Sequence, residues 1–291
     1  MTQKKTTILH IQAKKARQEP LVMVTAYDYA AACLADEAAM DMVLVGDSLG
    51  MVMLGYDTTI PVTMAMMVHH CQAVARGIRS AFLIADMPFG SYEADPIEAV
   101  HHAVQLVQEG GAEAVKLEGG QEMLPAIQAI VRAGIPVMGH LGLTPQSVSR
   151  LGGFRVQGKT AAAAYSLLQD ALLLQEAGCF AIVLEAIPAA VAAAITERLT
   201  IPTIGIGAGA ACDGQVLVYH DLLGLNFRPY ARFVRQYADL RTTITAALNS
   251  YRAEVQNHQF PTAEHSYSMA EEELIRFQAL LADNILTTAI K

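Results

Sequence analysis

Five short apolar runs in this chain end on an ionisable side chain. Val43-Leu44-Val45-Gly46 leads to Asp47-Ser48, Phe82-Leu83-Ile84-Ala85 to Asp86, Ala114-Val115-Lys116-Leu117 to Glu118, Val137-Met138-Gly139 to His140, and Ile182-Val183-Leu184 to Glu185. An unpaired ionisable group inside an apolar wall is costly, so five runs ending this way point to one shared polar site. Three carboxylates without a Cys/His set favour a hard, oxygen-preferring cation, Mg²⁺ or Mn²⁺, with water and substrate oxygens completing an octahedron. Such an ion polarises a carbonyl and stabilises an enolate. Glu185, across the site, is then free to act as a base. Lys116 shares the strand parity of Glu118, so both can point to one side. It can pair with a substrate carboxylate or a developing oxyanion, or form a Schiff base. The acidic neighbours favour the charged, pairing form.

Each residue also has an ordinary structural reading. An Asp after a strand often caps the next helix, but better caps follow Asp47 and Asp86 at Thr63 and Asp95. A strand Lys is usually a solvated edge residue. His140 can be a satisfied core histidine. Parity alone does not prove an inward direction, because both faces of these strands are apolar.

The elements that must position these residues alternate. Strand candidates are 21–27, 42–48, 81–87, 112–118, 135–141, 179–186, 201–207 and 215–220. Their near-continuous hydrophobicity is that of strands buried on both faces. Helix punctuation lies between them: Asp95-Pro96-Ile97-Glu98 reads as cap, N1 proline and capping-box acid, and Gly110 as the residue after the helix. Thr63 and Gly77 frame a second helix, Thr160 and Gly178 a third, and Thr144-Pro145 starts a short one. Eight β/α alternations predict a (β/α)8 TIM barrel, whose active sites lie at the C-terminal strand ends. An open doubly wound sheet is the alternative. Residues 5–18 read as an extra N-terminal helix, 232–253 as the last barrel helix, and 269–286 as a further amphipathic helix. One domain over 1–291 is expected, with the barrel over about 20–253 and an extension over about 254–291. Gly205-Ile206-Gly207-Ala208-Gly209 superficially resembles a dinucleotide fingerprint. With no helix after it and no acidic partner about 20 residues on, a tight turn or a close backbone approach to substrate is expected instead.

Composition removes several classes. Hydrophobic residues make up 53% of the 291 and charged residues 16%, which excludes general disorder. A formal net charge of −8 argues against nucleic-acid partners. No apolar run is long enough to span a membrane, and the polar N-terminus lacks the apolar stretch of a secretory signal. Cys33, Cys71, Cys179 and Cys212 form no metal or redox spacing. A cytoplasmic location is expected.

Longer segments carry a family likeness. They are MVTAYDY (23–29), LVGDSLGMV (44–52), IADMPFGSY (84–92), VKLEGG (115–120), GHLGLTPQSV (139–148), GGFRVQGK (152–159), VLEAIP (183–188), IPTIGIGAG (201–209), DGQVLVYHDLLG (213–224) and RFVRQYADL (232–240). The chain closely resembles the ketopantoate hydroxymethyltransferase family from about residue 5 to about 267. The resemblance implies transfer of a hydroxymethyl group from 5,10-methylenetetrahydrofolate to 3-methyl-2-oxobutanoate in the pantothenate pathway, through a metal-stabilised enolate. It implies Asp47 and Asp86 as Mg²⁺ ligands, with Glu118 a further metal-site carboxylate, direct or through water. It implies Asp47, Ser48, Asp86 and Lys116 as ketoacid contacts, Glu185 as proton acceptor, His140 as an active-site histidine, and a homo-oligomer, a decamer. Residues 269–291 run beyond the family pattern. Two rivals remain at this stage: a Mg²⁺-dependent lyase or mutase of the phosphoenolpyruvate mutase and isocitrate lyase type, and a non-catalytic ligand-binding barrel.

Overall fold

The apolar runs form eight parallel strands: β1 (Leu21–Thr25), β2 (Met42–Val45), β3 (Phe82–Asp86), β4 (Ala114–Glu118), β5 (Val137–Gly142), β6 (Ala181–Glu185), β7 (Thr203–Ile206) and β8 (Gly214–Leu217). They pair in sequence order, and β8 closes on β1. The structure is therefore the closed barrel and not the open sheet. It is a computed structural model describing residues 4–288, apart from the side chains of residues 151 and 283–288. Every strand expected from the sequence is present, mostly shortened at its ends.

Strand alternation divides the apolar side chains into two layers. One fills the barrel interior: Leu21, Met23, Met42, Leu44, Phe82, Ile84, Ala114, Met138, Ala181, Val183, Ile204 and Val216, with Ile11 of the helix Ile8–Ala16 joining them. The other, including Val43, Val45, Leu83, Val115, Val137, Ile182 and Leu184, packs against the outer helices. The direction left open by parity is thereby fixed. Asp86, Lys116, Glu118, His140 and Glu185 continue the interior rows beyond Ile84, Ala114, Met138 and Val183 (an alternation of two along each strand).

The expected caps hold the helices that set the strand ends. Thr63 accepts from Met66 N–H before Met64–Gly77, Asp95 from Ile97 N–H before Pro96–Gln108, and Thr160 from Ala163 N–H before Ala161–Glu176. Each such cap is worth about 1 kcal/mol. Asp47 caps nothing: the short helix Leu49–Val52 has Ser48 at its cap position and no side-chain cap bond.

The glycine run is followed by no helix, as its sequence indicated, although strict alternation calls for one there. Seven residues (207–213) already bridge β7 and β8. Gly207 (φ +66°) and Gly209 (φ +86°) bend it through the left-handed region, and a Cβ on Gly207 would lie 2.5 Å from the Phe233 ring. The glycine run is thus a turn. It borders a cavity of ≈ 690 Å³ beside Lys15, Gln215 and Phe233 that contains none of the site residues.

The chain divides into two compact units, one to Ala238 and one from Asp239. The helix expected at 232–253 spans Leu240–Gln256, falls in the second unit and has no buried residue. The expected helix at 269–286 is Glu271–Thr288. Residues 1–3 and 289–291 of the expected domain lie outside the described residues.

Candidate active site

Barrel register builds the centre of the site. Asp86 of β3 is the register partner of Lys116 of β4, and Glu118 of β4 that of His140 of β5. Neighbouring inward residues meet directly: Lys116 Nζ lies 2.8 Å from Asp86 Oδ1, and His140 Nδ1 lies 3.3 Å from Glu118 Oε1. Glu185, at the end of β6, reaches the other face of the imidazole, with its Oε2 3.2 Å from His140 Nε2. Asp47 lies just past β2, and its backbone N–H donates to Asp86 Oδ2 at 3.0 Å. Ser48 Oγ is 2.8 Å from Tyr27 OH. Gly46 makes the close approach possible: a Cβ there would lie 2.8 Å from Ser48 Oγ and 3.4 Å from Asp86 Oδ2. The structure therefore brings together Asp47, Asp86, Lys116, Glu118, His140 and Glu185, with Ser48 beside them.

Burial makes this cluster electrostatically tense. Asp47, Asp86, Lys116, Glu118 and His140 are all no more than 4% exposed, while the Glu185 side chain is 15% exposed. Burial pushes the Asp47 carboxyl up to about 7, reinforced by the charges of Asp86 and Glu118 and opposed by Lys116 and Gln146. Burial also raises Asp86, against the pull of Lys116 and the Asp47 N–H. For Lys116, burial alone lowers the pKa, but Asp86, Glu118 and Asp47 hold it above the ordinary lysine range. The charged form, paired with Asp86 at 2.8 Å, is therefore favoured over the neutral amine that a Schiff base needs. Burial and Lys116 push His140 down, yet its contacts with Glu118 and Glu185 lift it to about 9. His140 is thus an ion-paired member of the site and not an isolated core histidine.

Three further residues complete the wall and were not nominated from the sequence. Gln146, buried in the turn after β5, donates from Nε2 to Asp47 Oδ2 at 2.9 Å, and its backbone N–H donates to Glu118 Oε2 at 3.0 Å. Tyr92 approaches Glu118 and Gln146, and Tyr27 holds Ser48. Gln146 sits inside the distinctive GHLGLTPQSV segment, the one available signal for it.

Among the described residues no group of three or more His, Cys, Asp or Glu side chains is arranged to enclose a metal ion. Mg²⁺ rarely uses such a cage; it commonly takes one or two carboxylates and fills its remaining positions with water and substrate. Asp47 and Asp86 suit that pattern. Asp86 Oδ1 is buried with no hydrogen bond of good geometry among the described residues, and the Lys116 ammonium lies 2.8 Å from it. Asp47 has one oxygen engaged by Gln146. Both Glu118 oxygens already face donors, Gln146 N–H and His140 Nδ1, so Glu118 fits better through a bridging water.

Fold and site together define a TIM-barrel enzyme with an acidic, lysine-containing centre at its C-terminal strand ends. The ketopantoate hydroxymethyltransferase family model matches residues 5–263, and the chain belongs to that family of transferases. A 3-methyl-2-oxobutanoate hydroxymethyltransferase of Oleidesulfovibrio alaskensis is 57% identical over 91% of this chain and 91% of its own. One of Moorella thermoacetica is 58% identical over 90% and 98%. Among solved structures, phosphonopyruvate hydrolase in complex with oxalate and Mg²⁺ aligns with a TM-score of 0.58 over 97% of this chain and 98% of its own, at 12% identity. 2,3-Dimethylmalate lyase, a PEP mutase/isocitrate lyase superfamily member, aligns at 0.57 over 98% and 99%, at 16% identity. At those identities the likeness is one of fold, and the family match decides for the transferase over the lyase and the non-catalytic barrel.

Proposed function

We propose that this enzyme transfers a hydroxymethyl group from 5,10-methylenetetrahydrofolate to 3-methyl-2-oxobutanoate, consuming water and releasing tetrahydrofolate. The product is 2-dehydropantoate (ketopantoate), a precursor of pantothenate and coenzyme A. The observation that carries the reading is the division of the site. Asp47, Asp86 and Lys116 gather at one end, and Glu185 stands apart at the other, its Oε2 3.2 Å from His140 Nε2. The names of the relatives support the same reaction.

Asp47 and Asp86 would hold Mg²⁺ or another divalent cation, with Glu118 acting through water. When bound, the ion supplies Lewis-acid polarisation of the keto group. Lys116 offers its ammonium to the ketoacid carboxylate or to charge developing on the keto oxygen, and Ser48 contributes a hydroxyl at the same end. Glu185 takes the proton from the carbon beside the carbonyl, and His140 fixes the orientation of its carboxylate. Water takes the methylene carbon from the two folate nitrogens, releasing tetrahydrofolate and a formaldehyde-level carbon. The activated ketoacid carbon adds to it, and the new alkoxide takes up a proton to give the hydroxymethyl group.

The test is proton NMR in deuterated water with purified enzyme, Mg²⁺ and ketoacid, without folate. Cation-dependent loss of the signal from the hydrogen beside the carbonyl is expected. Glu185→Gln should retain ketoacid binding and slow the exchange by at least about 100-fold, the usual scale for a general base. Near-normal exchange in the variant would remove Glu185 from the base role. Its absence in the wild type would count against the reaction itself.

The reading extends to a cytoplasmic homo-oligomer, a decamer. Four unpaired cysteines support the location. No helix among the described residues is long and apolar enough to cross a membrane. The second unit supports self-association: Ile244, Leu248, Tyr251 and Val255 of Leu240–Gln256 are all exposed. Their spacing of four, three and four makes one apolar stripe, the pattern of a helix packed against a partner helix. Sedimentation of the purified enzyme measures the assembly.

A further inference from the structure

We propose that Gln146, oriented by Tyr92, is a positioning residue that presents Asp47 to the cation and ketoacid. The inference rests on the function proposed above and adds a residue to it.

Gln146 crosses from the turn Pro145–Ser147, after β5, to the end of β2. It is 5% exposed, and its polar atoms are engaged in one pattern. The two Nε2 hydrogens go to Asp47 Oδ2 at 2.9 Å and to the Met87 carbonyl at 3.0 Å. Oε1 accepts from Tyr92 OH at 2.6 Å. An amide is an acceptor at one end and a double donor at the other. Reversing this one would set its oxygen against a carboxylate and a carbonyl, and leave two acceptors without donors. The environment therefore admits one orientation.

Tyr92 makes that orientation firm. Its hydroxyl accepts from the Glu118 backbone N–H at 3.2 Å. Its single hydrogen then points to Gln146 Oε1, which at 2.6 Å is much nearer than the alternative acceptor, Glu118 O at 3.3 Å. Tyr92 is itself buried at 3% exposure. The result is a directed relay from Glu118 N–H through Tyr92 O–H to the Gln146 amide and on to Asp47 Oδ2. Its consequence is local: with Oδ2 held, Asp47 is left its other oxygen, Oδ1, which has no protein partner among the described residues. The Gln146 backbone N–H meanwhile holds Glu118 Oε2 at 3.0 Å, so this residue ties together two of the site's carboxylates. Residues of this kind, one step behind a ligating group, typically change metal affinity or activity by about 10–100-fold when replaced.

The test uses Gln146→Met, which keeps length and volume but removes the side-chain amide, its carbonyl acceptor and its amino donor alike, and Tyr92→Phe, which removes only the hydroxyl. The full-length wild type, both variants and the double variant are titrated with Mn²⁺ alone, followed by electron paramagnetic resonance. Ketoacid-dependent deuterium exchange is then resolved into kcat and KM. Gln146→Met is expected to weaken Mn²⁺ binding about 10–100-fold and to raise the ketoacid KM. Tyr92→Phe should shift both in the same direction by a smaller factor. The double variant should lose less than the product of the single losses, because the part of the Tyr92 effect that runs through the amide is already gone in Gln146→Met. Near-wild-type Mn²⁺ affinity in Gln146→Met overturns the proposal, as does a double variant whose losses are the product of the single ones. Should Gln146→Met fail to fold, Tyr92→Phe decides: unchanged Mn²⁺ affinity and KM overturn the relay. A wild type that takes no Mn²⁺ and shows no exchange would instead mark failure of the proposed function.

Discussion

The charge on Asp47 should be visible in the stability of the enzyme. Burial, with the nearby Asp86 and Glu118 charges, lifts this carboxyl from 3.8 to about 7 in the folded chain, while the unfolded chain titrates it at the ordinary value. Between those values the folded state holds a proton that the unfolded state has lost. Stability from this group is thus fully present below about pH 4 and is lost as pH rises through about 7. Each pH unit is worth up to about 1.4 kcal/mol, so the fall between pH 5 and pH 7 is about 2 kcal/mol once the half-titration near pH 7 is included. For a unit of this size that is about 4–8 °C in Tm. The perturbation is Asp47→Asn, which is neutral at every pH and keeps an oxygen for the Gln146 amide. In chelator-treated samples, wild type and variant should be alike at pH 5, and the variant more stable by about 2 kcal/mol at pH 7. Adding Mg²⁺ at about 100 times its Kd should return about 2.7 kcal/mol to the wild type at pH 7 and much less to the variant. Thermal or urea melts across that pH range measure all three. Parallel pH profiles for the two proteins would refute the account, because Asp47 would then not be the group that takes up the proton.

Two other perturbations separate the chemistry from the frame. Lys116→Met strands Asp86 without its buried partner 2.8 Å away; urea unfolding should show a loss of about 3–5 kcal/mol near neutral pH, and ketoacid binding by calorimetry should fall with it. Asp213→Asn acts just before β8, where its Oδ2 meets Lys15 Nζ at 2.7 Å, Thr203 N–H at 2.8 Å and Thr203 Oγ1 at 3.1 Å. Charge-assisted bonds of this kind predict a stability loss of about 2–4 kcal/mol, with kcat of the remaining folded enzyme unchanged.

What could be read beforehand follows from which interactions are periodic. Asp86, Lys116, Glu118, His140 and Glu185 sit at regular steps along strands whose apolar rows were visible, so register alone brings them together. Asp47 was legible by the same strand-end pattern. Gln146 was not, because it meets Asp47 across 99 residues of chain through a turn with no repeat. Tyr92 carried no local pattern either, since its hydroxyl contacts Glu118 and Gln146 across 26 and 54 residues. The missing helix after β7 was legible in the glycine run, which has no helical pattern behind it, although strict β/α alternation calls for a helix there. The helix at Leu240–Gln256 was recognised, but not its place: an apolar stripe says that a helix is covered, and leaves open by what.

Charge balance joins the site to its proposed cation. Asp47, Asp86, Glu118 and Glu185 bring four acidic groups to a site where Lys116 and His140 are the cations. With every acid ionised and both cations charged, two negative charges stay uncompensated, the charge of one divalent ion. A buried site cannot hold that excess freely, and the chain without an ion relieves it by drawing a proton to Asp47, whose pKa of about 7 records the strain. Proton and cation therefore compete for one carboxylate, as linked binding requires. The same competition explains why the supporting groups are arranged as they are. Gln146 supplies donors to Asp47 without adding charge, so it holds the carboxylate in place while leaving its negative charge for the ion. A lysine or arginine at that position would satisfy the same oxygen and weaken the site it was meant to build.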